Sequence, residues 1–401
     1  MKGAFNGGNS GNGVPAYDIV LSEQTLQTLL QYKSDIIGAK IAPGDRLKQA
    51  IAETGMPLAR LTTQDFIQAL LATKQPMIFA ESAIKGDGTD WTHRELAILG
   101  DINITMNVKA YDNGVWDPTH KDFREHKPPL EAQLMFTPGA LLGVGKDFNG
   151  TSPDYAEVVS GKNIEQAKYN ALIERRLLPL LSHANECAKA DGKPAVITLP
   201  GIGCGAFAGE FKGRMGAHLN EALQAMLEKH GDKLSHIACI YFDPFAECGN
   251  QQNDIHGLKY RVRPATQNPG KPQLCAPDAY AGSGDDFSIC KLYKIVAWDH
   301  ASYPGNDYFG NSRFTDDGVS AAATNSMEII TGMRGYYTGG QYKPPRGFES
   351  WDDVVTANGT RLVATDNVKI VTQDAAYIDL AQYEKAAAAP APRVANKTGL
   401  K

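Results

Sequence analysis

The sequence predicts an α/β protein with a mixed sheet flanked by helices, and two observations lead to this prediction. An apolar run at residues 195–199 precedes a glycine-rich loop, a helical segment from about Phe211 to Lys229, and a second apolar run at 236–242. A strand–loop–helix–strand unit of this kind places its two strands parallel in one sheet. Further runs with strand-like patterns lie at residues 102–108, 132–136 and 292–297.

The chain before these strands predicts helices. From Asp18 to about Lys74 the apolar residues recur at helical spacing, and Thr62 or Thr63 can cap the later helix. We expect four segments along the chain: a flexible leader at 1–14, a helical N-terminal subdomain at 15–80, an α/β core at 81–384 and a disordered Ala/Pro-rich tail at 385–401.

Three segments inside the core have their own expected structure. Residues 165–190 predict a long helix with a break or kink near Pro179. Residues 260–284, rich in proline and glycine, predict an irregular connection. Residues 320–330 predict a further helix.

Composition and charge exclude several classes of protein. The 401 residues carry a net charge of −5, whereas a general nucleic-acid-binding protein needs a basic surface. No run of 18 apolar residues predicts a membrane span. The six cysteines lie far apart without C-x-x-C spacing, which indicates reduced thiols rather than a zinc site or disulfide framework. We therefore expect a soluble protein with no resident metal.

The loop at residues 200–210 is the most informative part of the sequence. Its glycines lie between a strand and a helix, where backbone N–H groups can converge on an anion. The spacing misses the last glycine of the Rossmann pattern by one position, and no Walker lysine follows. A tight glycine-rich turn without a ligand is the alternative interpretation.

Residues 203–210, G-C-G-A-F-A-G-E, resemble the diphosphate loop of the poly(ADP-ribose) glycohydrolases, which reads G-C-G-A-F-G-G-D. In macrodomains this loop wraps the diphosphate of ADP-ribose, and its aromatic residue packs beside the distal ribose. The resemblance therefore implies a macrodomain core and ADP-ribose contacts at Gly203, Cys204, Gly205, Ala206, Phe207 and Gly209. A core aromatic that anchors the turn is the alternative for Phe207.

A second resemblance to macrodomains follows in the sequence. Residues 284–287, G-D-D-F, and 295–299, I-V-A-W-D, are similar in spacing to the family's G-D-I-T and V-N-A-A-N segments. The resemblance implies that Asp285 or Asp286, with Phe287, contacts adenine and that Asp299 reaches the distal ribose. Because the two halves occur in reversed order, we expect a circularly permuted macrodomain. Residues 100–103, G-D-I-N, are a second candidate for the first segment.

Asp299 lies in an acidic stretch that also contains Asp307 and Asp317, as in the macrodomain effectors of Legionella, where three aspartates serve catalysis. Carboxylates suit the hydrolysis of a glycosidic bond, because they stabilise an oxocarbenium-like transition state and activate water. A carboxylate can also grip an arginine leaving group. A solvated loop acid or a helix cap is the alternative for each aspartate. Asp316 and Asp317 could also help to bind Mg²⁺, although an adjacent pair is weak evidence.

The resemblance implies a hydrolase that removes ADP-ribose from arginine on a protein, with ubiquitin as that protein. It also implies a secreted effector that acts in the host cytoplasm. The triple glycine and Q-E-E of the poly(ADP-ribose) glycohydrolases are absent, which argues against cleavage of chains. Two alternatives stay open: a non-catalytic reader of ADP-ribose, and an interaction protein whose helical N-terminus docks a host ubiquitin-conjugating enzyme.

Overall fold

The computed structural model describes residues 15–76, 83–143, 152–271, 274–305 and 323–388. A ten-stranded mixed sheet runs through them in the order β14-β13-β1-β2-β3-β10-β6-β7-β9-β8. Its strands are β1 (Asp18–Ser22), β2 (Asn103–Asp117), β3 (Asp122–Pro138), β6 (Ala195–Pro200), β7 (Ile237–Asp243), β8 (Gln251–Ile255), β9 (Leu258–Val262), β10 (Lys291–Trp298), β13 (Val368–Val371) and β14 (Tyr377–Asp379). Two small hairpins complete the strands: β4 (Val159–Ser160) with β5 (Asn163–Ile164), and β11 (Tyr336–Thr338) with β12 (Gln341–Lys343).

Strands β3, β10, β6, β7 and β9 are parallel and form the middle of the sheet. The register pairs Lys294 of β10 with Thr198 of β6, and Thr198 with Tyr241 of β7. The carboxyl ends of these strands therefore lie along one edge, where ligands of α/β sheets bind.

Helices cover both faces of the sheet. They are α1 (Glu23–Ile37), α2 (Asp45–Glu53), α3 (Thr63–Leu71), α4 (His93–Gly100), α5 (Pro153–Val158), α6 (Gln166–Asp191) and α7 (Met215–His230), with later helices at Ser326–Thr331, Trp351–Asn358 and Leu380–Ala387. Short 3-10 turns lie at Leu58–Arg60, Ala206–Phe211, Gly231–Lys233 and Pro277–Tyr280.

Side chains of the central strands point alternately to the two faces of the sheet, which divides the apolar core into two layers. Val196 and Val296 pack with the side chains of α1, α3 and α4 on one face. Ile197 and Ile295 pack with α6 and α7 on the other. Successive side chains of a strand point to opposite faces, so a run that is apolar at every position builds both layers.

The structure confirms several sequence predictions and corrects others. Thr62 caps α3 through a capping box with Asp65, as the sequence indicated. The helical interpretation is wrong for Asp18–Ser22, which form a strand between β13 and β2. The long helix continues through Pro179 without the expected break. Gly192, in the left-handed conformation, ends it.

Two further expectations are corrected. The helix expected at residues 320–330 begins at Ser326 in the described part of the chain. The connection expected at 260–284 contains the end of β9, because Leu258–Val262 pair with both β7 and β8.

The division of the chain into four segments stays a prediction: residues 1–14 lie outside the described residues, and the helix Leu380–Ala387 reaches into the expected tail. Among the described helices, none combines the length and apolar composition needed to span a membrane.

Candidate functional site

The glycine-rich loop follows the carboxyl end of β6, and close backbone packing explains two of its glycines. A side chain at Gly209 would place its Cβ 2.6 Å from the Cα of Gly143. Gly203 has φ +75°, and a Cβ there would lie 2.9 Å from the amide nitrogen of Ala140. These glycines are required because the segment after β3 packs directly against the loop.

Gly205 and Ala206, at the tip of the loop, are exposed. A Cβ at Gly205 would meet no atom within 4 Å, so packing does not explain this glycine. Within the described residues, the amides of Gly203, Gly205 and Ala206 donate no hydrogen bond. A bound anion requires open space beside amide N–H groups that donate no hydrogen bond within the protein. Cys204 is buried beneath the tip, with 9% of its surface exposed.

Strand β10 ends beside this loop and continues into Asp299 and His300, both of which are buried. The indole Nε1 of Trp298 donates to the Ser302 carbonyl at 3.1 Å and fixes the turn that follows. Lys74 donates to the His300 carbonyl, and its ammonium lies 4.0 Å from the centre of the Trp298 ring.

The structure brings the loop and the end of β10 together, as the permuted arrangement requires. The half-buried Phe207 ring lies 6.2 Å from the His300 ring, measured between centroids. Strands β6 and β10 are neighbours and parallel, so their carboxyl ends open on the same edge of the sheet.

A buried network of charged side chains supports both parts of this site. Arg176 on α6 donates to Asp154 through Nη1 at 3.0 Å and Nη2 at 2.7 Å. Its Nε donates to Asp101 at 2.9 Å, and Nη1 also donates to the Gly139 carbonyl at 3.0 Å. Asp101 belongs to residues 100–103, the second candidate for the G-D-I-T-like segment, and these contacts place it in the network.

Asp154 links this network to the site. Its Oδ2 accepts from the Leu141 amide at 2.8 Å and lies 3.2 Å from His300 Nε2. The next two amides, of Leu142 and Gly143, both donate to the Phe207 carbonyl at 2.7 Å. Burial alone would raise the pKa of Asp154, but Arg176 and His300 outweigh it and hold that pKa well below its usual value. Asp154 is therefore a carboxylate that orients His300 and the loop.

The predicted adenine contacts, Asp285, Asp286 and Phe287, precede β10 in the chain. The Asp285 carboxylate accepts from Lys259 at 2.5 Å and from the Gly282 amide at 3.1 Å. Lys259 pairs with Cys239, toward the amino end of β7. Asp286 is exposed and accepts from Ser288. Phe287 is buried in the core, with 1% of its surface exposed. Among the described residues, no hydrogen bond or ion pair joins these three to the glycine-rich loop, so their assignment stays a prediction.

Two of the three predicted catalytic aspartates, Asp307 and Asp317, lie outside the described residues, as does Asp316. Their roles stay predictions. Across the described segments, no group of three or more His, Cys, Asp or Glu side chains is arranged to hold a metal ion.

Phe245 was not singled out from the sequence and lies next to the loop. It follows β7, which pairs with β6, and 68% of its surface is exposed. Its φ of +60° is unusual for an aromatic residue. The Asp243 carboxylate holds this conformation by accepting from the Phe245 and Ala265 amides at 2.8 and 2.7 Å. Because this conformation costs free energy, we take the exposed Phe245 ring as a candidate functional position.

A mixed sheet covered by helices, with a glycine-rich loop and Asp299 at the carboxyl ends of neighbouring parallel strands, defines a macrodomain-like protein. The family model described as "Macrodomain effector MavL" matches residues 17–348, so the chain belongs to this macrodomain family. The match includes β1 and the helices before the core as well as both parts of the site. Membership associates the chain with ADP-ribose binding and hydrolysis. No curated protein matches the chain.

Proposed function

We propose that the protein binds ADP-ribose at the carboxyl ends of β6 and β10 and hydrolyses the bond that joins it to arginine on a protein. One observation carries this proposal: the glycine-rich loop and Asp299 follow neighbouring parallel strands, with the Phe207 ring 6.2 Å from that of His300. Ligands of α/β sheets bind in the crevice outside these strand ends.

The loop supplies what a diphosphate needs. The exposed amides of Gly205 and Ala206 can donate to phosphate oxygens without obstruction by a side chain. Such a local site suits an acidic chain, because it requires no basic surface. The exposed Phe245 ring offers a face on which the adenine base can stack.

We assign Asp299 to the chemistry at the other end of the ligand, because it follows β10 beside the loop. When the bond between the ribose carbon and the guanidino nitrogen breaks, positive charge develops on the ribose, and a nearby carboxylate stabilises it. Water then supplies the hydroxyl group on that carbon, and its second proton leaves on the arginine product. We assign Asp307 and Asp317 to the same step from the family resemblance, as groups that activate the water or grip the guanidinium.

Arginine as the linked residue, ubiquitin as the modified protein and action in a host cytoplasm also belong to this proposal. Their support is the resemblance to effector macrodomains together with the acidic segment, since several carboxylates suit a cationic leaving group.

The proposal is tested by measuring binding and release separately. We expect Asp299→Asn to keep the affinity for free ADP-ribose within about tenfold, a difference of ~1.4 kcal/mol. Release of ADP-ribose from an arginine-modified protein should fall by ~10²–10⁴-fold, because the carboxylate acts mainly in the transition state. Calorimetry and a release assay give the two quantities.

Asp374→Asn is the matched control, because the Asp374 side chain is 95% exposed and the same substitution there should change neither quantity. If the natural protein binds ADP-ribose but releases none from arginine-, serine- or glutamate-linked substrates, it is a reader. If it does not bind ADP-ribose, the proposal is wrong as a whole.

A further inference from the structure

A polar cleft lies beside the candidate site and has no part in the function proposed above. It is formed by α2, the segment at residues 72–76, Tyr303 and Arg361, and its volume is about 240 Å³. Lys74 and Tyr303 form its buried base, whereas Arg46 and Arg361 are exposed on its rim.

The two rim arginines have no acidic partner in the part of the chain that the structure describes. Neither Arg46 nor Arg361 forms an ion pair with any described residue. The Arg46 guanidinium lies over the Trp91 ring, 4.5 Å from its centre, and Arg361 Nη1 donates to the Thr360 carbonyl at 3.1 Å. Glu53, the one acid among the described residues that line the cleft, accepts from Gln49 at 2.9 Å. Both guanidinium groups therefore keep donors for a ligand.

The cleft shares a wall with the candidate site. The Gln75 amide donates to the Ala301 carbonyl at 2.8 Å, and the Tyr303 amide donates to the Gln75 carbonyl at 2.8 Å. The chain thus passes from Asp299 directly into the base of the cleft. A protein whose modified side chain lies at Asp299 would have neighbouring residues within reach of Arg46 and Arg361.

Size and charge indicate what the cleft would bind. Its volume is below the roughly 300–1,000 Å³ of pockets that hold whole small molecules, so it fits a side chain better than a nucleotide. Guanidinium groups match the two oxygens of a carboxylate. Glu53 would repel a ligand with several negative charges. We propose that the cleft binds a carboxylate side chain of the protein that carries ADP-ribose, an inference that rests on the proposed function.

Paired peptides test this inference. Two synthetic peptides carry ADP-ribosyl-arginine, one with glutamates on both sides of the arginine and one with glutamines. Their affinities are measured by calorimetry for protein with Asp299→Asn, which slows turnover. We expect about tenfold tighter binding of the glutamate peptide, or ~1.4 kcal/mol, and loss of this preference when Arg46→Gln and Arg361→Gln are added. Lys48→Gln, which removes a charge from α2 outside the cleft, should preserve the preference.

Equal binding of the two peptides by protein with intact arginines would overturn the inference, as would a preference that survives loss of both. Free ADP-ribose, measured on the same proteins, reports on the proposed function alone and should bind equally with or without the arginines. If it does not bind at all, the proposed function fails. In that case the two unmodified peptides are added to the protein while the Arg46 and Arg361 side chains are followed by NMR. Equal chemical-shift changes with the two peptides would overturn the inference about the cleft.

Discussion

At the scale of single residues, the glycine-rich loop separates glycines required by packing from one that packing leaves unexplained. Gly203 and Gly209 approach the backbone of the segment after β3 too closely for a side chain. Gly205 faces open space, where a side chain would obstruct only a ligand. The sequence motif does not distinguish these three glycines, but only Gly205 gives direct information about ligand binding.

Phe245 gives a prediction with two opposite effects. Phe245→Gly should raise the free energy of unfolding by about 0.5–1 kcal/mol, because glycine adopts positive φ without strain but costs some entropy. The same change should weaken ADP-ribose binding by roughly 5- to 150-fold, since stacking of an aromatic side chain on a base contributes about 1–3 kcal/mol. Urea unfolding and calorimetry measure the two effects.

Ala39 offers the matched control, because it is also exposed and has φ +53°. Ala39→Gly should stabilise the protein without changing ADP-ribose affinity. Unchanged affinity in folded Phe245→Gly protein would remove Phe245 from the site.

At the scale of elements, the buried ion pair between α5 and α6 joins parts of the chain that form the site. Arg176 is fully buried and Asp154 nearly so, with side-chain exposures of 0% and 2%. Through Leu141 and His300, Asp154 fixes the segments that follow β3 and β10. The loop geometry therefore depends on side chains of α5 and α6.

Asp154→Asn keeps the shape of this side chain but leaves Arg176 without one of its two acidic partners. We expect the free energy of unfolding to fall by about 3–5 kcal/mol, because a buried charge loses its partner. Glu157→Gln, which removes the 37%-exposed partner of Arg175, should cost about 1 kcal/mol or less. Equal losses for the two variants in urea unfolding would show that burial does not strengthen the Asp154 interaction.

At the scale of the whole molecule, the interface between α6 and the sheet makes stability depend on pH. His183 lies there with Nδ1 2.8 Å from the Tyr377 hydroxyl and Nε2 3.5 Å from Cys187 Sγ. Burial, assisted by Lys369 and Lys291, lowers the pKa of His183 from 6.5 to about 3. As pH falls below 6.5 the unfolded chain takes up a proton that the folded chain does not, so stability is lost between pH 6.5 and 3.

Because of the His183 titration, the free energy of unfolding should be about 2 kcal/mol lower at pH 5 than at pH 7. His183→Asn, which removes the titrating group, should flatten that change. Asp154 contributes to acid sensitivity only below its ordinary pKa of 3.8, outside this range. Urea unfolding at both pH values is the measurement. An equal change in the free energy of unfolding for His183→Asn and the natural protein would contradict the prediction.

The sequence predicted the central strands well because they are buried on both faces. Strands β6, β7 and β10 are nearly continuous apolar runs, interrupted by Thr198 in β6 and Lys294 in β10, and such runs are typical of a covered sheet. By contrast, β8 is polar, and its pairing with β9 depends on tertiary contacts that a local pattern does not contain. Strand β1 was read as helix because its five residues run directly into α1.

Parts of the candidate site could be proposed from the sequence where one continuous motif carries them, and not where distant residues meet. The glycine-rich loop was indicated by its glycines between a strand and a helix, and Asp299 by the resemblance of its segment to macrodomains. The network of Asp101, Asp154, Arg176 and His300 was not, because each charged residue is ordinary in its own segment and only the fold joins them. Phe245 gave no signal either, since exposure and backbone conformation are properties of the folded chain.

The position of β10 in the sheet determines when the central sheet can be completed during synthesis of the chain. β10 lies between β3 and β6, yet it follows both in the chain, and about 90 residues separate it from the end of β6. At about 5–20 residues per second, a ribosome needs roughly 5–18 s to make that stretch. During this interval β3 and β6 have no strand between them, and their unpaired edges can be captured by other chains. The proposed ADP-ribose site, which combines the loop after β6 with Asp299 after β10, cannot form before the interval ends.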